Sequence, residues 1–98
     1  MINRIVRMSF QPENVDVFLR VFNASKNYIA NFDGCKSLEL FCDVNQKNVF
    51  FTYSTWENEI SLDAYRNSEL FLNTWAQTKI LFNDKPLAWS TFIIDKVK

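Results

Sequence analysis

Trp56-Glu57-Asn58-Glu59-Ile60-Ser61-Leu62-Asp63-Ala64-Tyr65-Arg66-Asn67-Ser68-Glu69-Leu70-Phe71 decides how the rest of the chain is read. The run before it, Val49-Phe50-Phe51-Thr52-Tyr53-Ser54-Thr55, is β-branched and aromatic, and predicts a strand that closes on Trp56. Asn58 followed by Glu59 is an N-cap with an acid in the first turn, and Ser68 with Glu69 restarts the pattern. Two helical pieces, over 58–66 and 68–82, therefore follow the strand. Tyr65 falls at the end of the first and Trp75 inside the second. In a chain with no histidine, these two rings are the polar-tipped groups suited to line a pocket.

Working outward from that stretch, residues 2–10 alternate, with Val6, Met8 and Phe10 on one face and Asn3, Ile5, Arg7 and Ser9 on the other. Pro12 sits where a helix begins, since its missing N–H is among those a first turn leaves unpaired. Val15, Phe18, Leu19, Phe22 and Ile29 then recur at helical spacing to about Asn31. Asp33-Gly34 turns the chain into a strand over 35–43, and Asn45-Gln46-Lys47-Asn48 reads as a hairpin loop. Phe71, Trp75, Thr78 and Phe82 form one stripe on the last helix. Pro86 stops that helix and forces Lys85 to be extended, and a final strand is expected over 87–96. The order is β-α-β-β-α-β with a split second helix, an α+β fold of the ferredoxin-like type. Residues 1–98 read as one domain without internal repeats or linkers.

Large apolar groups occupy both faces of the strands: Phe51 and Tyr53 against Phe50 and Trp56, Phe41 against Leu38 and Leu40, Trp89 against Phe92. A sheet half in water alternates more cleanly. The face without helices is therefore expected to be covered by a second subunit. The 48% apolar and 16% aromatic content points the same way, because it exceeds what one small core needs.

Eleven basic and eleven acidic residues cancel, and no basic cluster flanks the aromatics, so nucleic acid is not an expected partner. Met1-Ile2-Asn3-Arg4-Ile5 has no apolar leader pattern and no run reaches membrane-spanning length; the expected address is cytoplasmic, with no membrane partner. Cys35 and Cys42 stand seven residues apart on one expected strand, about 23 Å at ~3.3 Å per residue and on opposite faces, too far for a disulfide. Without histidine or a third cysteine, no metal site is expected.

The element order and the local motifs resemble the dimeric α/β-barrel superfamily, and within it the antibiotic biosynthesis monooxygenase family. The residues that carry the resemblance are Asn3-Arg4, Phe32-Asp33-Gly34-Cys35, Trp56-Glu57 and the run from Leu62 to Phe71. It implies a homodimeric, cofactor-free monooxygenase acting on a small aromatic or quinone-like ligand such as a quinol. The same fold also carries non-catalytic small-molecule-binding modules and small-molecule isomerases. Where many members have histidine this chain has Tyr65, a phenol and hence a poor base near neutral pH. Where the haem-degrading branch has its iron-ligating histidine this chain has Trp75, so haem is not an expected substrate.

Cofactor-free oxygenation needs an electron-rich phenolate or enolate, a dry pocket and donors for the developing oxyanion. The resemblance implies Asn3 and Tyr65 as those donors, meeting at one substrate oxygen, with Trp75 and Phe71 as walls. Each has a plainer alternative: Asn3 as a strand-end residue, Tyr65 as an aromatic wedge, Trp75 as core. Phe22 joins Trp75 either in lining the pocket or in filling it. Arg7 contacts substrate if its face looks toward the helices, and is a rim residue otherwise.

Overall fold

The computed structural model describes residues 1–98. In chain order the elements are β1 (Ile2–Ser9), a 3₁₀ turn (Pro12–Asn14), α1 (Val15–Ala30), β2 (Cys35–Cys42), β3 (Val49–Trp56), α2 (Glu59–Arg66), α3 (Glu69–Lys79) and β4 (Leu87–Thr91). The strands form one antiparallel sheet in the order β2-β3-β1-β4, with β1 and β3 central. This is the expected ferredoxin-like α+β arrangement, with three helices where an unbroken second helix would give two.

The break between α2 and α3 is built by side-chain caps. Asn58 Oδ1 accepts from the Ser61 N–H at 2.9 Å and opens α2. Ser68 Oγ accepts from the Phe71 N–H at 3.1 Å and donates to the Tyr65 carbonyl at 2.6 Å, so one hydroxyl starts α3 and holds the last turn of α2. Upstream, the turn into β2 depends on Gly34, whose φ of +88° favours glycine and whose absent Cβ leaves room for the Ser61 side chain. The Gly34 carbonyl accepts from the Glu57 N–H at 2.8 Å, tying that turn to the start of the α2 segment.

Strand register grades the helix-facing side of the sheet by side-chain size. One row places Met8 beside Phe50, with Cys42 on the far side of Phe50. The next places Val6 beside Thr52 and Ala88. The third places Arg4 beside Ser54 and Ser90. Above the first row, Met8, Phe10, Phe18, Phe50 and Leu81 make the buried core, with the Phe10 and Phe18 rings stacked at 4.2 Å. Leu40 and Leu38 continue these two rows on β2, and above Thr52, Ser54, Ala88 and Ser90 the short side chains leave space.

Three expectations change. The last strand stops at Thr91 rather than reaching residue 96, because Thr91 pairs with Asn3 and β1 starts one residue before it. Phe92, Ile93, Ile94 and Val97 are left exposed. The last helix ends at Lys79, short of Phe82, because the chain leaves it to form a bridge between Phe10 and Phe82, held by the Gln11 N–H to the Leu81 carbonyl and the Asn83 N–H to the Ser9 carbonyl. The two cysteines share a face instead of opposing: an irregularity between Cys35 and Ser37 shifts the parity of β2, so Cys35 pairs with Trp56 and Cys42 with Phe50. Both remain free. No helix is long and apolar enough to cross a membrane.

Candidate functional site

Between the sheet and the three helices lies a cavity of about 330 Å³, within the size range of small-ligand pockets. Its floor is Arg4, Val6, Thr52, Ser54 and Ala88, the two rows of short side chains together with the one arginine. Phe18, Phe22 and Ser25 of α1 form one side, and Tyr65 and Arg66 of α2 close the end near Trp56. Phe71, Trp75 and Thr78 of α3 form the remaining wall.

Aromatic rings run almost continuously around it. Trp56 and Tyr65 stack at 4.9 Å, Tyr65 meets Phe71 edge-on at 5.3 Å, and Phe71 lies parallel to Trp75 within 9° at 5.9 Å. Trp75 then contacts Phe82, Phe82 contacts Phe10, and Phe10 stacks on Phe18. Such contacts are mutually stabilising by about 0.5–1.5 kcal/mol each beyond area burial. They hold the walls in place where no core residue fills the middle. Polar groups of the lining are satisfied locally: Ser25 Oγ donates to the Val21 carbonyl at 2.9 Å, Thr78 Oγ1 to the Thr74 carbonyl at 2.7 Å, and Ser54 Oγ accepts from Trp56 Nε1 at 3.0 Å.

Electrostatically the cavity has one sign. Arg4 and Arg66 are its only charged side chains, and no histidine, carboxylate or thiol lines it. Burial, then the nearby Arg66 guanidinium, pull Arg4 below the ordinary arginine range, with Asp63 opposing. Arg4 Nη1 donates to Ser90 Oγ at 3.0 Å. Burial, reinforced by neighbouring Cys35, pushes the Tyr65 phenol up to about 12. At neutral pH that phenol is a hydrogen-bond donor and not a base. The Cys35 thiol is itself raised by burial. No three His, Cys, Asp or Glu side chains converge anywhere as a metal site would require.

Of the residues expected at the site, Tyr65, Phe71, Trp75 and Phe22 come together around this cavity. Asn3 and Arg7 do not reach it. Val6 and Met8 face the helices, so strand parity turns Asn3, Ile5 and Arg7 to the other side. Asn3 is buried there between Thr55 and Thr91, and Arg7 lies between Phe51 and Leu87. The expected meeting of Asn3 with Tyr65 in the cavity is thereby corrected, and Arg7 takes the outward-facing alternative. Arg4, Thr52, Ser54 and Ala88 were missed. The signal for Thr52, Ser54 and Ala88 was short side chains in register with the inward residues of β1, and for Arg4 a lone charge on the same parity as Val6 and Met8.

Residues 1–77 match the family model described as antibiotic biosynthesis monooxygenase. The chain belongs to that family. Among solved structures it is similar to one described as an antibiotic biosynthesis monooxygenase, at 17% identity over 97% of this chain and 100% of that one, with a TM-score of 0.91. A Mycobacterium tuberculosis protein is 21% identical over 99% of this chain and 98% of its own, with a TM-score of 0.89. A conserved protein from Methanosarcina mazei Go1 is 16% identical over 92% and 89%, with a TM-score of 0.88. At these identities the likeness is one of fold. No curated protein matches the chain. The family match covers β1 through most of α3, which are the elements that supply Arg4, Phe22, Tyr65, Phe71 and Trp75.

Proposed function

We propose that this member of the antibiotic biosynthesis monooxygenase family takes a small planar aromatic molecule into the cavity and oxidises it with dioxygen, the substrate itself supplying the electrons. The observation that carries the reading is the flat wall of Phe71 and Trp75, near-parallel rings lining a cavity that Tyr65 closes. Phe22 faces that wall from α1 as a second apolar surface. An enolisable ring CH₂ suits the chemistry. Carbon loses two hydrogens and gains one oxygen atom of O₂ as a carbonyl, and the second oxygen leaves with those hydrogens as water. The Tyr65 phenol, protonated at working pH, donates to the developing oxyanion. With no base in the lining, the substrate proton passes to water, so turnover is confined to substrates acidic enough to ionise without a protein base.

Oxygen-electrode measurements with a panel of aryl-fused cyclic ketones that carry an enolisable ring CH₂ test this. Consumption of O₂ that needs both protein and substrate, with one labelled oxygen atom recovered in product from ¹⁸O₂, is the expected result. The absence of any proton acceptor in the lining favours one other reading, a binding module that keeps the pocket without the reaction. Saturable binding of the same ketones with no O₂ consumed would establish it.

The working unit is a homodimer in this reading. On the sheet face away from the helices, Phe41, Leu87 and Trp89 are each more than 40% exposed and share rows with Phe51, Tyr53 and Ile5. A second copy would cover them, with about 2,000 Å² buried in total. Sedimentation should give twice the chain mass at micromolar protein, and Trp89→Glu should shift it toward monomer; a wild-type monomer under those conditions would remove the dimer from the reading.

A further inference from the structure

Two arginines enter an otherwise uncharged cavity from different elements, Arg4 from the central strand of the floor and Arg66 from the last turn of α2. The charges that could neutralise them are few. Asp63 Oδ1 lies 3.9 Å from Arg66 Nη1, at the outer limit of an ion pair, with about half of the Arg66 side chain and most of the Asp63 side chain in water. Pairs of that kind contribute little. Arg4 has the neutral Ser90 hydroxyl as its hydrogen-bond partner. The two guanidiniums are close enough that Arg66 disfavours the charge on Arg4. Like charges that share one cavity, Arg4 partly buried and Arg66 exposed at its rim, with one loosely held carboxylate near both, leave a positive excess there. An anion set between them removes the repulsion and gains charge-assisted hydrogen bonds from planar donors.

The geometry points to an aromatic ligand that carries an anionic oxygen (carboxylate, phenolate or enolate), which Arg4 and Arg66 hold while the ring lies against Phe71 and Trp75. This rests on the aromatic-pocket reading above and adds the charge of the ligand to it. It also supplies what the lining lacks. Two cations at the ligand oxygen raise the acidity constant of a phenol or enol bound there, so the anion forms without a protein base.

The test compares 2-naphthoate with 2-naphthamide, the same ring system with and without charge, by quenching of tryptophan fluorescence. Naphthoate should bind about tenfold more tightly at ~20 mM salt, and the gap should narrow at ~500 mM as screening grows. Arg66→Gln, at an exposed helix end where folding is not at stake, should lower naphthoate affinity about tenfold, and Arg4→Gln should do the same provided circular dichroism shows it folded. Equal binding of the two probes by the native protein, or a naphthoate preference that survives Arg66→Gln, overturns the charge assignment while leaving the aromatic pocket standing. Failure of both probes to bind overturns the pocket reading and this inference with it.

Discussion

The two ends of the space between helices and sheet are made of the same kinds of residue and end up unlike. At one end Met8, Phe10, Phe18, Phe50 and Leu81 fill the volume, and Phe10 is wholly buried. At the other, Tyr65, Phe71 and Trp75 surround a void. The difference lies in the floor. Phe50 and Met8 stand under the first set, Thr52, Val6 and Ala88 under the second. Aromatic rings pack when strand side chains rise to meet them and form walls when those side chains are short. Filling depends on volume matched across layers, as close packing in cores requires. A binding site can therefore be made by shortening a few inward strand residues, with no change of backbone.

The largest expected effect lies in the packed end. Phe10→Ala should cost about 3–5 kcal/mol, whereas Phe71→Ala, already beside empty space, should cost less than half as much. Urea unfolding of both variants compares them directly. Equal losses would mean that the hollow end is as tightly filled as the core.

The hollow end depends more on backbone geometry, and Gly34→Ala probes that. The substitution puts a Cβ at a positive φ and against Ser61, and should cost about 1–3 kcal/mol while loosening α2 and thus Tyr65. Stability and naphthoate affinity should fall together. If stability falls alone, the Gly34 turn does not position the cavity wall.

Tyr65 gives the comparison a pH signature. An unfolded phenol ionises near 10.0 and the folded one near 12. Between those values the unfolded chain has shed a proton that the folded chain keeps, so stability is full below about pH 10 and declines as pH rises toward 12. The loss should amount to about 1–3 kcal/mol in total. Denaturant midpoints taken at intervals from pH 8 to 12 should show the decline, and Tyr65→Phe should remove that component while changing neutral-pH stability by less than ~0.5 kcal/mol.

The smallest stability effect is expected from filling the void. Thr52→Leu places apolar volume on the short-residue floor and should change stability by less than ~1 kcal/mol, while naphthoate affinity drops about tenfold. Met8→Phe, the same kind of enlargement in the packed end, should cost about 1–3 kcal/mol. Similar costs at both sites would erase the contrast between them.

Much of this was legible in the chain because it is written locally. Asn58 and Ser68 cap helices by bonding N–H groups three residues on, and both do so here. Pro12, Gly34 and Pro86 act on their immediate neighbours. The walls Phe71 and Trp75 follow from helical spacing alone. Boundaries failed where the deciding contact was distant. Strand β4 ends early because β1 has almost no residue left to pair with, and α3 ends early because Phe82 bridges to Phe10 across the domain. The cysteines changed faces because one irregularity reverses the parity of everything before it.

The site divides the same way. Sequence alone determined the α+β order, the split helix, the absence of any imidazole, and the family to which those motifs point, because each is a property of composition or of near neighbours. It left open which side of β1 looks at the helices, and that choice governs the cavity. Alternation fixes that Arg4 and Asn3 point opposite ways, but only the packing of α1 and α3 over Val6 and Met8 sends Arg4 inward and Asn3 outward. Tertiary structure likewise brought Arg66 up to Arg4 and raised the Tyr65 phenol by burying it beside Cys35. Charge proximity and desolvation are properties of three-dimensional neighbours, and chain order does not encode them until the helices have docked.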